Sequence, residues 1–417
     1  MPPGFYALIA AQFVSGLADN ALLIVTIARL GELSAPAWWA ALLKLGFTLA
    51  YVLLAPFVGA VADAWAKPRV MMVANALKAA GAALILAGGD PLLAFGLAGV
   101  GAALYSPAKY GLITELLPPS RLVAANGWIE VCTVGAILLG TLAGGALVSP
   151  LAQADAAWAA PWSPATHEAT RLVPALAAVL ALYALAAALN LGIPASGAAR
   201  RALPCDARAL LGGFARDHLM LWRDAQGARS LAVTTLFWGV GATLQLVMLR
   251  WAQESLGLGL HHAAMLQAAG AIGLVAGATA AGRWVSLGRA FGVLPLGIAM
   301  GLLLPCIVFC ETPAQAFALL VAVGACAGFF VVPMNAVLQH RGHVLLSAGR
   351  SIAVQNFNEN LGVIGLLAVY AALGAAELPL PTLIWCFGLA VAAAMAAITA
   401  RQDRHAPPHP HAAKESA

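Results

Sequence analysis

Charged residues are scarce in this chain. Asp, Glu, Lys and Arg make up 9% of its 417 residues, whereas hydrophobic residues make up 62%. A typical soluble domain is about one quarter charged, so this sequence lacks the polar surface that a water-soluble protein needs. Its mean hydropathy of +0.88 predicts instead that lipid is the solvent for most of its length.

Cysteine is also sparse, with six residues, and no pair has zinc-type spacing with a histidine partner. Most of the six fall within apolar runs, where cysteine behaves as a small core residue. We therefore expect neither a metal site nor a cofactor. The sequence also lacks an H-x-x-x-x-D motif and a Ser/His/Asp set in one region, which argues against an integral membrane acyltransferase or another enzyme.

A basic segment ahead of the first apolar run is missing too. The N-terminus reads "MPPGFYALIAAQF" and continues into a full span, so we expect no cleavable signal peptide. What the sequence does have is long apolar runs, and a spanning helix needs about 20 mostly apolar residues. Twelve such runs lie at approximately 5–31, 37–62, 70–88, 92–113, 122–149, 170–192, 229–252, 262–284, 290–310, 314–338, 351–375 and 380–400. The expected fold class is an all-α membrane protein.

The few loop charges alternate in sign along the chain. One set of loops carries basic residues, such as Lys67, Arg121, Arg289 and the six arginines between 200 and 229. The other set is mainly acidic and contains Glu32, Asp90, Asp155, Glu168, Glu254, Glu311 and Glu377. Because basic loops stay in the cytoplasm, we predict a multi-pass membrane protein with both termini cytoplasmic. We call the side with the basic loops the basic face and the opposite side the acidic face.

The longest connection, residues 193–228, divides six spans from six. We therefore expect six-helix bundles at 1–192 and 229–400, a cytoplasmic central loop at 193–228, and a disordered cytoplasmic tail at 401–417. Within the loop, "CDARALLGGFARDHLMLWRD" predicts an amphipathic helix at the inner membrane surface. Its Leu and Trp would face lipid and its Arg would face anionic headgroups.

The two halves of the sequence contain a similar arrangement. Each has a proline late in one helix, a basic turn, and then an amide and a carboxylate early in the next helix. In this comparison Pro107, Arg121, Asn126 and Glu130 parallel Pro333, Arg341, Asn356 and Glu359. Two halves with the same membrane orientation imply a pseudo-two-fold axis along the membrane normal.

Seven ionisable residues fall within or near the predicted spans: Asp19, Lys44, Lys78, Lys109, Glu130, Arg250 and Glu359. Each would cost about 2.5–3.5 kcal/mol at a lipid-facing helix centre, so most should face a polar interior. Lys44 and Lys78 lie nearer span ends, where they would snorkel to the interface, and Arg250 would anchor the acidic face. In the first span, helical spacing puts five polar or small residues on one face, namely Gln12, Ser15, Gly16, Asp19 and Asn20.

The turn "GAVADAWAKPR" has a different role. It places Gly59, Asp63, Lys67 and Arg69 where two helices meet at the basic face. Gly59 would allow close helix approach, and Asp63 would pair with basic groups or a helix N-terminus and so latch neighbouring helices in one state. The second half has Ala281 at the matching position, so a latch there should be weaker. The turn resembles the loop motif of the major facilitator superfamily, and with twelve spans and a central loop it predicts that fold.

Longer segments resemble the bacterial lysophospholipid transporters of this superfamily, from about residue 7 to about residue 400. They include "AQFVSGLADNALL", "YSPAKYG", "LVAANGWIE" and "FFVVPMNAVLQHRG". The resemblance implies a location in the bacterial inner membrane, where lysophospholipid, chiefly lysophosphatidylethanolamine, is moved from the outer to the inner leaflet for re-acylation. It also implies membrane lipids and a separate acyltransferase/acyl carrier protein synthetase as partners. We expect a monomer that binds no nucleic acid.

The same resemblance suggests a set of substrate-binding residues. Asp19 would meet the headgroup ammonium, Asn20 the glycerol or phosphate, and Lys109 the phosphate as a point cation. The set is completed by Glu130, Gln245, Asn356 and Glu359. Gln245 departs from the family pattern, in which a basic residue is expected after "TL".

Two other functions fit parts of the pattern. The first is a proton-coupled exporter of drugs or other small molecules, in which Asp19, Glu130 and Glu359 would carry protons. A steep dependence on a pH gradient would favour that alternative. The second is a non-transporting scaffold or receptor, which leaves the charges at bilayer depth and the repeated halves without an explanation.

Overall fold

The computed structural model describes residues 1–36, 38–149, 171–198, 201–204, 206–376 and 378–403. Within these ranges the regular elements are helices, and twelve spans are long and apolar enough to cross a membrane. The predicted all-α membrane fold is therefore confirmed. The predictions for the acidic loop residues Asp155, Glu168 and Glu377, and for the tail beyond residue 403, lie outside the described residues.

The first half contains six spanning helices. They are α1 (Pro3–Glu32), α2 (Trp39–Ala64), α3 (Lys67–Leu86), α4 (Pro91–Leu116), α5 (Leu122–Leu147) and α6 (Val173–Leu191). A shorter helix, α7 (Ala207–Arg223), follows in the connection between the halves. The second half contains α8 (Ala225–Leu256), α9 (Leu260–Trp284), a ninth span at residues 287–309, α11 (Pro313–Leu345), α12 (Ala348–Ala375) and α13 (Leu380–Asp403).

The ninth span is not one continuous α-helix. It consists of a 3₁₀ segment (Leu287–Val293), the short helix α10 (Pro295–Leu303) and a second 3₁₀ segment (Leu304–Phe309). Pro295 and Pro305 lie at the starts of the last two segments. A proline lacks the N–H that a continuous helix would use, which explains why the helix type changes at these positions.

Side-chain caps fix several helix starts. Asp90 accepts a 2.8 Å hydrogen bond from the Leu93 N–H at the start of α4, and Asp224 does the same for Gly227 at the start of α8. Such caps satisfy backbone donors that have no partner within the helix. The pattern of short polar residues before apolar runs therefore accounts for where these spans begin.

The end of α11 corrects one prediction. Arg341, which we expected in a basic turn parallel to Arg121, lies inside α11, because this helix continues to Leu345. Its guanidinium forms an ion pair of 2.5 Å with Asp224, the cap of α8. This ion pair holds the last turns of α11 against the start of α8, so only residues 346 and 347 separate α11 from α12.

Helix α7 forms where the amphipathic pattern predicted it, but one of its faces packs on the protein rather than on lipid. Asp217 pairs with Arg350 of α12 at 2.6 Å, and the Trp222 indole N–H donates a 3.2 Å hydrogen bond to Asn358. Leu211 and Leu219 remain exposed on the helix. Trp222 therefore binds α12 through its polar tip, a contact that the predicted lipid-facing position did not include.

Candidate functional site

A cavity of about 440 Å³ lies between the two halves. Its walls come from α1 to α5 in the first half and from α8, α11 and α12 in the second. The lining runs from Lys109 and Gln355, in the basic-face halves of α4 and α12, to Lys44 near the acidic-face end of α2. The cavity thus provides a polar environment at membrane depth that extends towards the acidic face.

The polar face predicted on the first span forms one wall of this cavity. All five of its residues, Gln12, Ser15, Gly16, Asp19 and Asn20, are cavity-lining. They share one side of α1 because residues three and four apart are neighbours on a helix. The Asn20 amide donates one hydrogen bond of 2.8 Å to the Gly16 carbonyl, so its second N–H and its carbonyl oxygen are left for another partner.

Asp19 has two direct partners, which belong to a larger polar network. One carboxylate oxygen lies 2.7 Å from the Lys78 ammonium, and Tyr183 of α6 donates a 2.8 Å hydrogen bond to the other. Lys78 also donates to Ser15 at 3.0 Å, and Ser15 donates to Asn75 at 2.8 Å. A buried ion pair is stable only when further hydrogen bonds satisfy both groups, and this network supplies them.

The expected snorkelling of Lys78 is wrong. Its side chain is only 2% exposed, and its ammonium lies 4.9 Å from the centroid of the Tyr105 ring. The physical reason is the carboxylate of Asp19, which offers this lysine a charged partner inside the bundle. Lys44 does lie near the end of its span and is exposed, but it also lines the cavity mouth.

Lys109 has a different environment from Lys78. Its ammonium lies 4.0 Å from the centroid of the neighbouring Tyr110 ring. Among the residues that the structure describes, no carboxylate lies within salt-bridge distance of it. Lys109 lines the cavity and therefore presents a cation that a bound anion can neutralise.

The second half contributes an amide and a carboxylate from α12. The Asn356 amide donates a 2.9 Å hydrogen bond to Ser106 of α4, and Glu359 accepts one of 2.7 Å from Gln355. All four residues are largely buried, and each contributes to the cavity wall. These contacts bring Asn356 and Glu359 to the same cavity as Asp19 and Lys109.

Two members of the predicted set do not line the cavity. Glu130 is buried in α5, within electrostatic range of Lys109 but behind the wall. Gln245 is exposed on α8 and donates a 3.0 Å hydrogen bond to Gln267 of α9. The structure therefore brings five of the seven predicted residues together. Arg250 pairs with Glu254 at 2.6 Å near the acidic face, where it was expected as an anchor.

Asp63 joins the two halves at the basic face. Its carboxylate accepts hydrogen bonds from the Gly349 N–H at 2.8 Å, the Arg350 N–H at 3.1 Å and the Ser347 hydroxyl at 2.5 Å. These groups form the N-terminus of α12, which has no side-chain cap of its own. A carboxylate at this end of a helix is favourable because it meets free N–H groups and the positive end of the helix dipole.

Gly59, Lys67 and Arg69 of the same turn have different surroundings. A Cβ on Gly59 would lie 2.7 Å from the Ala353 side chain, so glycine is what lets α2 approach α12. Lys67 forms a 2.5 Å ion pair with Glu115 of α4. Arg69 is exposed at the start of α3. Gly59 and Asp63 therefore contact the second half, whereas Lys67 ties together two helices of the first half.

The matching contact in the second half lacks a carboxylate. Ala281 is fully buried near the end of α9, and the start of α5 that packs beside it carries no side-chain cap hydrogen bond. Gly282 of α9 and Gly127 of α5 are close neighbours there. The two halves thus contact each other through small residues on this side and through the Asp63 hydrogen bonds on the other.

Further hydrogen bonds join the halves between these contacts. Asn126 and Gln339 exchange two hydrogen bonds of 2.9 and 2.8 Å across the interface of α5 and α11. Arg201, in the connection between the halves, donates a hydrogen bond of 2.7 Å to the Leu346 carbonyl. All of these groups lie on the basic side of the cavity, so this side is closed in the structure.

Sequence reasoning missed several residues of the site. Tyr183, Asn75 and Glu115 have partners that lie far away in sequence, and a single tyrosine or asparagine in an apolar span carries no local pattern. Lys78 was noticed as a charge, but its partner Asp19 is 59 residues away. A signal that points to the pair is the presence of opposite charges near the middle of two neighbouring spans.

Comparison with known proteins agrees with this architecture. A model of the Major Facilitator Superfamily matches residues 8–366. A protein named lysophospholipid transporter LplT from Serratia proteamaculans is 43% identical over 366 residues, covering 88% of this chain and 87% of that protein. The protein of the same name from Yersinia enterocolitica is 42% identical over 375 residues, covering 89% and 88%.

Solved structures show the same fold at low sequence identity. A bacterial homologue of the iron transporter ferroportin, in an outward-facing state, has a TM-score of 0.70 and 15% identity and covers 97% of this chain and 99% of that one. The transporter FucP in an outward conformation has a TM-score of 0.70 and 16% identity, with coverage of 97% and 98%. At such identities the likeness establishes the fold alone.

Proposed function

This chain belongs to the major facilitator superfamily and to its lysophospholipid transporters, and we propose that it carries lysophospholipids, chiefly lysophosphatidylethanolamine, from the outer to the inner leaflet of the bacterial inner membrane. There a separate acyltransferase would re-acylate them. The observation that carries the proposal is the cavity between the halves, in which Lys109 has no carboxylate partner among the described residues.

The cavity suits both parts of such a substrate. A phosphate bound to Lys109 would form a charge-assisted hydrogen bond, which is about twice as strong as a neutral one. The single acyl chain needs an apolar surface, and the cavity wall also contains Leu23, Phe47, Phe95, Ile137 and Val363. Headgroup and chain would therefore separate along the cavity, with the polar end at the level of Lys109.

The direction of entry follows from which side is closed. The hydrogen bonds of Asp63 and the Asn126–Gln339 pair close the basic side, while the lining extends towards the acidic face at Lys44. If the basic face is cytoplasmic, as the loop charges predict, the cavity in this state takes substrate from the outer leaflet. Rocking of the two halves about the site would then open the basic side.

The transport assay for this proposal uses the purified protein in liposomes. Labelled lysophosphatidylethanolamine is added outside, and its arrival in the inner leaflet is followed with and without ion gradients. We expect transfer well above protein-free liposomes and little dependence on a proton gradient. Transfer of unrelated small molecules that depends on a proton gradient would instead support the proton-coupled exporter, and absence of any transfer would support the non-transporting scaffold or receptor.

A further inference from the structure

The acidic residues near Lys109 differ in what already neutralises them. Three carboxylates, those of Glu130, Asp19 and Glu359, lie within electrostatic range of its ammonium. Glu130 does not line the cavity, so a ligand in the cavity does not reach it. Asp19 does line it, but a cation, Lys78, is already 2.7 Å from one of its oxygens.

Glu359 is the remaining acidic residue, and its hydrogen-bond partner is neutral. Gln355 donates a hydrogen bond of 2.7 Å to one of its carboxylate oxygens. Among the described residues no cation lies within salt-bridge distance of this carboxylate. Gln355 has both amide hydrogens engaged, because it also donates to Asn335 at 3.0 Å, so the carboxylate is held in place.

Lys109 and Glu359 thus form a separated pair of opposite charges. Lys109 lies on α4 of the first half and Glu359 on α12 of the second, and both line the same cavity. They attract each other without being in contact. Filling the space between them with a neutral apolar group would leave both charges without a partner, which is costly at membrane depth.

We propose that Glu359 binds the headgroup ammonium while Lys109 binds the phosphate of the same lysophospholipid. This assignment rests on the proposed function and replaces Asp19 as the expected ammonium partner. In lysophosphatidylethanolamine two methylene groups separate the phosphate from the ammonium, so one headgroup carries both an anion for Lys109 and a cation for Glu359. Asp19 then acts as a positioning residue that fixes Lys78 and the α1 wall.

Binding in this manner links the two halves through the substrate. The phosphate contacts Lys109 on α4, and the ammonium contacts Glu359 on α12. Closure of the cavity around the headgroup brings Lys109 nearer to the phosphate and Glu359 nearer to the ammonium. A headgroup without an ammonium keeps only the contact between its phosphate and Lys109. Glu359 is therefore a residue that determines preference among lysophospholipids rather than transport of lysophospholipids in general.

The test compares two lysophospholipids with the same acyl chain in proteoliposomes. Lysophosphatidylethanolamine carries an ammonium, and lysophosphatidylglycerol has hydroxyl groups in its place. For Glu359→Gln we expect lysophosphatidylethanolamine uptake to fall about tenfold or more relative to lysophosphatidylglycerol uptake, which is equivalent to about 1.4 kcal/mol. The readout is the ratio of the two uptakes, and the remaining lysophosphatidylglycerol uptake reports that the variant is folded.

A matched control is Glu130→Gln, which removes a buried carboxylate that does not line the cavity. Any loss in this variant should be the same for both lipids. Equal losses for both lipids in Glu359→Gln, or no loss for either, would overturn the proposal. If Glu359→Gln fails to fold, Glu359→Asp keeps the charge on a shorter side chain. It should lower the ratio of lysophosphatidylethanolamine uptake to lysophosphatidylglycerol uptake, and an unchanged ratio would overturn the proposal. A wild-type protein that moves neither lipid would instead overturn the proposed function.

Discussion

The carboxylate of Asp63, at the end of α2, accepts a 2.8 Å hydrogen bond from the backbone N–H of Gly349, at the start of α12. These residues belong to different halves and are separated by 286 positions in the chain. Because α12 has no side-chain cap of its own, a residue of the first half supplies what the second half lacks. Opening the basic side requires α12 to lose this cap.

Replacing Asp63 by asparagine should weaken closure of the basic face. The side chain keeps its size, but it loses its charge and one of its two acceptor oxygens, and loss of a helix cap typically costs about 0.5–2 kcal/mol. We expect a broader and longer distance distribution between spin labels placed at the exposed residues Trp65 and Val344 in a background without native cysteines. Transport should slow several-fold.

Asp90 provides the control for this variant. It caps α4 within the first half and at the acidic face. Asp90→Asn therefore removes a cap of the same chemistry and should leave the distance across the basic face unchanged. An unchanged distance in Asp63→Asn as well would contradict the role of Asp63 as a latch.

Gly59→Leu should open the same side for a steric reason. A Cβ at this position would lie 2.7 Å from the Ala353 side chain and 3.0 Å from the Arg350 Cα, so α2 and α12 cannot keep their present distance. The spin-label distance across the basic face should lengthen at least as much as in Asp63→Asn. Gly46→Ala is the control in the same helix, because a Cβ there has no neighbour within 4 Å, and a similar lengthening in that variant would argue against this steric account.

Lys78→Met should destabilise the protein more than the double variant Asp19→Asn with Lys78→Met. Removing one member of a buried ion pair leaves an unpaired charge and typically costs about 3–5 kcal/mol, whereas replacing both members is often close to neutral. Thermal unfolding in detergent would measure the difference as a lower Tm for each single variant and a recovered Tm for the double one. Additive losses would mean that the two residues do not act as a pair.

Acid should loosen α7 from α12. His218 of α7 packs on Phe357 of α12, and burial lowers the pKa of its imidazole below the ordinary value. The released imidazole therefore binds a proton more readily than the docked one, so docking is weakened as pH falls through about 6.5. Burial raises the pKa of Asp217, which acts in the opposite direction at lower pH.

Hydrogen exchange of residues 207–223 at pH 7.5 and pH 5.5, corrected for intrinsic rates, would measure this effect. We expect faster relative exchange at the lower pH in the wild-type protein. His218→Phe keeps an aromatic ring but cannot be protonated, so the difference should disappear in that variant. Persistence of the same difference would assign the pH response to another group.

The spans and the polar face of α1 were predictable because they are local patterns. Apolar runs of about 20 residues identify spanning helices whatever surrounds them, and the three- and four-residue spacing from Gln12 to Asn20 defines one face by geometry alone. Asp63 was also recognisable, because a carboxylate in a short turn at the basic face has few other uses. These residues could be predicted without knowing which helices become neighbours.

The remaining parts of the site depend on contacts between distant segments. Lys78 looked like a residue near a span end until α3 packed beside α1 and brought it to Asp19. Gln245 was placed in the site by the resemblance to the transporter family, but the rotation of α8 directs it to Gln267. Arg341 was expected in a turn, because nothing local indicates that Asp224 extends α11. Such positions are set by helix packing and rotation, which sequence periodicity does not specify.

Binding of lysophospholipid by Lys109 variants tests the central claim most directly. The measurement is the affinity of the purified wild-type, Lys109→Gln and Lys109→Arg proteins for lysophosphatidylethanolamine, read from the lipid dependence of thermal stability. If the phosphate binds this ammonium, Lys109→Gln should weaken binding about tenfold or more, as expected for loss of a charge-assisted hydrogen bond, and Lys109→Arg should recover part of it. Wild-type affinity in a folded Lys109→Gln protein would contradict the account.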